Sequence, residues 1–173
     1  CEISWLQQSD LSAIFGAYPQ LEHFCVRGAS NLHFGLLKHN QLKTLIVQSG
    51  GLGADVINEI LTAELPQLTH RELWLGEDNY GGNATINDLH PLLSGNLFPH
   101  LNYLGLRDSE IADDIAKAVA NAPVLNKIKI LDLSMGTLSD EGAEALLSSP
   151  LISKLEKLDI HYHFCSEMVV QRF

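Results

Sequence analysis

The densest run of possible ligands in the chain is His161-Tyr162-His163-Phe164-Cys165, with Asp159 two residues before it. On an extended strand Asp159 and His161 share a face, so a site of two histidines and one carboxylate for a transition metal is geometrically open. Cys165, however, stands five residues after Ile160, where other parts of the chain carry Leu52, Ile111 and Leu138, and it reads as a small buried hydrophobe. We expect no metal there. The loop GEDNYGGNAT, from Gly76 to Thr85, offers Asp78, Asn79 and Asn83, with Asp88 just beyond, but lacks the DxDxDG spacing and terminal glutamate that hold calcium. GxSxG, Walker and HExxH motifs are absent, and the serines, histidines and aspartates form no recognised local constellation for nucleophilic catalysis. We therefore assign no catalytic residue, no metal and no cofactor. The alternatives to a binding protein are a divergent hydrolase or metal-dependent enzyme, or a purely structural part of a larger protein.

Composition narrows the partners. A net charge of -10 and a pI near 5.1 oppose a polyanion, because a nucleic-acid binder needs lysine and arginine to displace counterions from phosphates. Nucleic acid and anionic membranes are not expected as partners, and no run of 18 or more apolar residues could span a bilayer. The three cysteines, Cys1, Cys25 and Cys165, are odd in number, far apart and without CxxC spacing, which suggests neither a disulfide framework nor a structural zinc site. A reducing, cytoplasmic setting fits them. No signal peptide is visible, and the first residue is Cys, so the natural N-terminus can lie upstream.

The elements that must position any site emerge from an internal period. An LxxLxL pattern reads LKTLIV from Leu42, LNYLGL from Leu101, IKILDL from Ile128 and LEKLDI from Leu155. Weaker copies read LEHFCV from Leu21 and HRELWL from His70. Their fourth positions are Phe24, Leu45, Leu73, Leu104, Leu131 and Leu158, separated by 21, 28, 31, 27 and 27 residues. A period near 27 leaves room for a full helix after each strand. Apolar residues at helical spacing fill that room: Leu52, Val56, Ile60 and Leu61; Ile111, Ile115 and Val119; Leu138, Ala143, Leu146 and Leu147. Acids mark the helix starts, namely Asp55, Asp88, Asp113 and Asp114, Asp140 and Glu141, and Glu167, where negative charge suits the positive helix end. Pro66, Pro99, Pro123 and Pro150 follow or end the helices. The first interval is too short for a full helix, so HFGLLKH is expected as a turn or a short helix.

The segment LSDEGAEALLSSP, from Leu138 to Pro150 after LDLSMGT, resembles the unit of ribonuclease-inhibitor-like leucine-rich-repeat proteins. ELWLGEDNYGGNATINDLHPLLSG and the stretch from LNYLGLRDSEIAD to the end are similar to a family of bacterial, cytoplasmic leucine-rich-repeat proteins of unassigned function. The resemblance covers nearly the whole chain. It implies an α/β fold: a right-handed solenoid of about six repeats over residues 1–173, with parallel strands on the concave side and helices on the convex side. It implies little about activity, since members of the wider class are mostly binding scaffolds with differing targets. His70 departs from the pattern, which expects an apolar residue in its place.

Strand alternation then lists the concave face. The third positions are His23, Thr44, Glu72, Tyr103, Ile130 and Lys157; the fifth are Cys25, Ile46, Trp74, Gly105, Asp132 and Asp159; the seventh are Arg27, Gln48, Gly76, Arg107, Ser134 and His161. Trp74 is a large ring with only Ile46 and Gly105 beside it, and Tyr103 and Arg107 lie on the adjoining strand. Tryptophan, tyrosine and arginine are the residues that concentrate binding energy. From Leu75 to Ile86 is 11 residues against 5 from Leu106 to Ile111, so about six residues, including Tyr80, are inserted beside this patch. A protein-binding site at Trp74, Tyr80, Tyr103, Arg107, Asp132 and Asp159 is the expectation. Cys165, Val169 and Phe173 begin another repeat, which suggests an excerpt of a longer solenoid, monomeric or dimerising through its open C-terminal end.

Overall fold

The computed structural model describes residues 3–173. Six strands, β1 (His23–Arg27), β2 (Thr44–Gln48), β3 (His70–Gly76), β4 (Tyr103–Ser109), β5 (Ile130–Asp132) and β6 (Lys157–Asp159), form one sheet in sequence order. Every neighbouring pair is parallel. The expected strands near 44–48, 72–76, 103–107, 130–134 and 157–161 are all present, although β5 and β6 stop two residues earlier. Helices follow the strands: α2 (Ala54–Leu61), α3 (Ile86–Leu93), α4 (Ala112–Val119) and α5 (Asp140–Leu147), with α1 (Ser12–Ala17) before β1 and a four-residue α6 (Glu167–Val170) at the end. Among the described residues no helix is long and apolar enough to cross a membrane.

A parallel sheet covered by helices on one face needs apolar residues at every second strand position there. Leu45, Val47, Leu73, Leu104, Leu106, Leu131 and Leu133 fill those positions and are buried. From the helices and the loops that lead into them, Leu52, Ile57, Ile60, Leu89, Ile115, Val119, Leu138 and Leu146 meet them. Gly76 is obligatory where β3 ends: its φ is +70°, and a Cβ would fall 1.9 Å from the carbonyl oxygen of Gly50. One position earlier in the frame, Gly28, Asp108, Met135 and Tyr162 take left-handed φ, each four residues after its inward strand residue.

The register corrects the sequence frame of the third repeat. Arg71, and not Leu73, pairs with Leu45 on one side and Leu104 on the other, so the inward column runs Phe24, Leu45, Arg71, Leu104, Leu131, Leu158. The unit therefore begins at Leu68, as LTHREL, and the residue that breaks its pattern is Arg71; His70 is an outward residue paired with Tyr103. A search for leucine at the fourth position slips two residues onward because Leu73 and Leu75 supply what Arg71 lacks. The slip preserves the face of each side chain but moves its row, since strand faces alternate with period two.

Two further expectations change in detail. HFGLLKH contains no helix: it bends at Leu36 between isolated bridges at His33 and Lys38. The Glu59 carboxylate of α2 holds it, accepting the backbone N–H of Phe34 at 2.6 Å and of Gly35 at 3.0 Å. The acids at the helix starts serve the neighbouring repeat as well as their own. Asp88 caps its own helix through Thr85, but Asp113 accepts the N–H groups of Ser139 and Gly142 at the start of α5, and Asp140 accepts that of Ser166 before α6. In a stack each helix start lies beside the previous one, so one carboxylate satisfies free N–H groups of the next.

Candidate functional site

The helix-free face of the sheet is a grid of three rows. In the observed register they are His23, Thr44, His70, Tyr103, Ile130 and Lys157; Cys25, Ile46, Glu72, Gly105, Asp132 and Asp159; and Arg27, Gln48, Trp74 and Arg107, continued in sequence by Ser134 and His161. Trp74 thus stands between Gln48 and Arg107, instead of between Ile46 and Gly105, and Glu72 takes the place in the middle row that the sequence frame gave to Trp74. Gly76 lies beyond the third row, opposite Ser109.

Trp74, Tyr103, Arg107 and Asp132 are brought together, and Glu72 is their hub. The Trp74 indole N–H donates to Glu72 Oε1 at 2.7 Å, and Arg107 Nη1 lies 3.2 Å from the same oxygen. Arg107 Nε is 3.4 Å from Asp132 Oδ2 and donates to Ser134 Oγ at 3.0 Å. The Tyr103 hydroxyl donates to Asp132 at 2.6 Å across Gly105, where a Cβ would meet both the Tyr103 ring and Glu72. The Arg107 guanidinium also covers the Trp74 ring at 5.3 Å, and His70 stacks on Tyr103 with centroids 3.9 Å apart and rings 8° from parallel.

The patch sets two carboxylates, Glu72 and Asp132, around one guanidinium, Arg107. Burial would raise the Glu72 carboxyl, but His70, Trp74 and Arg107 outweigh it and hold the group at about 2. At 3.8 Å from Glu72 the His70 Nε2 is beyond hydrogen-bonding reach and has no other partner, so the bonds from Trp74 and Arg107 carry most of this effect. Burial pushes the Tyr103 phenol upward, and its bond to Asp132 adds to that, so it remains a donor at any physiological pH. Asp159 is the next carboxylate along the row but is bound to Lys157 at 2.8 Å and His161 at 2.6 Å; against burial, these partners hold it well below the ordinary range.

Tyr80 is not part of this cluster. Its loop crosses toward the second repeat, where the Tyr80 backbone lies against Gly51, and its half-exposed side chain lines a cleft with Asn31, His33 and Asp55. In the observed register Trp74 to Ile86 is 12 residues against 5 from Arg107 to Ala112, so the insertion is seven residues where the sequence frame gave six. Its polar groups are occupied structurally: Asn83 accepts the Ala54 N–H at 2.9 Å, the Asp78 N–H donates to Glu110 at 2.8 Å, and Asp88 closes the cap with Thr85. In the HYHFC run, His163 accepts the Cys165 N–H at 3.1 Å, and among the described residues no group of three or more His, Cys, Asp or Glu is placed to hold a metal. Cys165 is half-buried, as is much of the last repeat; Cys1 lies outside the described residues.

Sequence reasoning missed Glu72 and His70 as members of the cluster. The signal was present, since anchoring the frame on Leu68 puts both of them outward beside Tyr103 and Trp74.

A leucine-rich-repeat family model matches residues 124–147, spanning β5 and α5. A crystal structure of a Bacteroides fragilis protein superposes with a TM-score of 0.94 at 34% identity, over 98% of this chain and 49% of that one. This chain is a leucine-rich-repeat protein. An internalin of Listeria monocytogenes is also similar, at 13% identity and a TM-score of 0.49, over 94% of this chain and 47% of the internalin. This leucine-rich-repeat chain spans about half the length of both structures. No curated protein matches its sequence.

Proposed function

We propose that this leucine-rich-repeat protein is a non-enzymatic scaffold that binds another protein on the concave face at the third and fourth repeats. The observation that carries the reading is the grouping of Trp74, Tyr103 and Arg107 on adjacent strands of an open sheet face, with the loop from Glu77 to Thr85 beside them. Binding hot spots favour rigid aromatic area and arginine held in a fixed geometry. Because Glu72 and Asp132 already hold Arg107, Trp74 and Tyr103 in place, little side-chain freedom is lost when a partner docks. Asp132 and Asp159 supply negative charge toward a partner of basic or mixed charge, and Tyr80 borders the site on its second-repeat side. The net charge of -10 supports such a partner over nucleic acid or an anionic membrane, and its approach should slow as salt rises. The free thiols of Cys25 and Cys165 support a cytoplasmic setting.

We read residues 1–173 as one domain of about six repeats within a longer solenoid. Leu158 and Ile160, in line with buried leucines of the previous repeat, are half-buried, and Phe164 and Met168 are exposed. A further repeat would cover them. Light scattering tests the competing arrangement, a dimer through this end, which would persist at low concentration.

To test the concave assignment, a photo-crosslinking residue is placed at Ile130, on the open face, and separately at Ala145 on α5. Partner adducts in the source cell should form from position 130 and not from position 145. Adducts from position 145 alone would reject the concave site.

A further inference from the structure

Arg71 occupies an inward position that is leucine in the second, fourth, fifth and sixth repeats, and its side chain is fully buried. None of its three guanidine nitrogens has a hydrogen-bond partner. Burial pushes the group down to about 9, so it stays protonated at neutral pH. A buried cation without a counter-charge costs several kcal/mol in general, whereas an apolar residue at the same place costs nothing of the kind. The guanidinium does have a neighbour: its central carbon lies 4.2 Å from the centroid of the Phe98 ring. Phe98 is unusual in its own right. Its φ is +50°, in the left-handed region that bulky side chains avoid. It also lines a cleft of about 360 Å³ between the turns that precede β3 and β4, with Asn40 and Asn96 among its lining residues. The one acid among them, Glu64, is paired with Lys38 at 2.6 Å. A ring therefore stands between an unpaired buried cation and an open cleft.

We propose that Arg71 is the floor of an anion site, reached from this cleft when the Phe98 ring turns aside, which takes a small oxyanion such as a phosphate or a carboxylate group. The guanidinium presents a planar fork of donors that matches either group in two-point geometry, and the cation–π contact with Phe98 is the closed-state substitute for that ligand. The site lies on the helix side of the sheet and is independent of the concave patch.

Thermal melts in sodium phosphate, sodium acetate and sodium chloride at matched ionic strength test it. Wild-type protein should melt about 3 °C higher in phosphate or acetate than in chloride, since a ligand that binds only the folded state stabilises it. The rise should vanish in Arg71→Leu, which restores the residue of the other repeats. A response to phosphate alone assigns a phosphate group, and a response to acetate assigns a carboxylate. Should Arg71→Leu not fold, the arginine Nε–H signals of wild-type protein decide the same question by NMR, because among Arg27, Arg71, Arg107 and Arg172 the signal of Arg71 must move and saturate. Identical wild-type melting in the three salts, or a rise retained in Arg71→Leu, would overturn the proposal.

Discussion

The third and fifth repeats use the same scaffold in opposite ways. In the fifth, Leu131 and Leu133 face the core, and five residues separate Leu133 from Leu138. In the third, the residue in register with Leu131 is Arg71, the outward face carries Glu72 and Trp74, and the loop before the helix is seven residues longer than in the fourth. Both strands nonetheless sit in one continuous parallel ladder. In a solenoid each repeat is held by its neighbours, so the ladder and the flanking leucines can keep an irregular repeat in register. Departures from the repeat can thus accumulate in one place without loss of the fold, and here they coincide with the polar cluster on the open face.

Substitutions at equivalent positions should separate the two repeats most. Leu131→Ala is expected to destabilise the protein by roughly 2–5 kcal/mol, because it leaves a cavity in a closed core, whereas Arg71→Leu should stabilise it by about 1–4 kcal/mol. Denaturant unfolding of the two variants measures both, and a loss of stability in Arg71→Leu would show that the arginine is paired in the folded state. Next in size, Tyr103→Phe removes the donor to Asp132 and should cost about 1–3 kcal/mol in the same assay, since the buried carboxylate loses a bond without losing its burial.

The pH dependence sharpens the contrast further. Glu72 is held at about 2 when folded, against an ordinary 4.5, so its contribution is complete above about pH 4.5 and disappears as pH falls toward 2. Glu72→Gln should flatten that part of an acid-unfolding curve; an unchanged acid limb would mean that other carboxylates govern it. The smallest effect belongs to the fifth and sixth repeats, where the Lys129–Glu156 pair is exposed on both sides. Lys129→Ala should change stability by less than about 0.5 kcal/mol.

Much of this architecture is legible in the sequence because leucine at two strand positions, followed by apolar residues at helical spacing, is a pattern that few other folds need. The repeats with leucine in the inward column, at Leu45, Leu104, Leu131 and Leu158, reveal their frame directly. The third repeat hides its frame because a charged residue fills the core position, and pattern matching has no reason to place arginine there. The outward residues were therefore right in face and wrong in row, which placed Trp74 beside Gly105 and left Glu72 out of the site. Bonds between repeats were hidden for a different reason. That Asp113 serves the start of α5, and Glu59 the segment HFGLLKH, depends on the lateral offset of stacked units, which no spacing within one repeat expresses.

The central claim is that a partner docks on the concave face at Trp74. Its most direct test is the affinity of a partner captured from the source cell for two variants shown to remain folded, Trp74→Ala on the open face and Glu144→Ala on α5. The expected result is a Kd about thirtyfold weaker for Trp74→Ala, about 2 kcal/mol, with a change below about 0.5 kcal/mol for Glu144→Ala. Equal effects from the two substitutions would contradict the account.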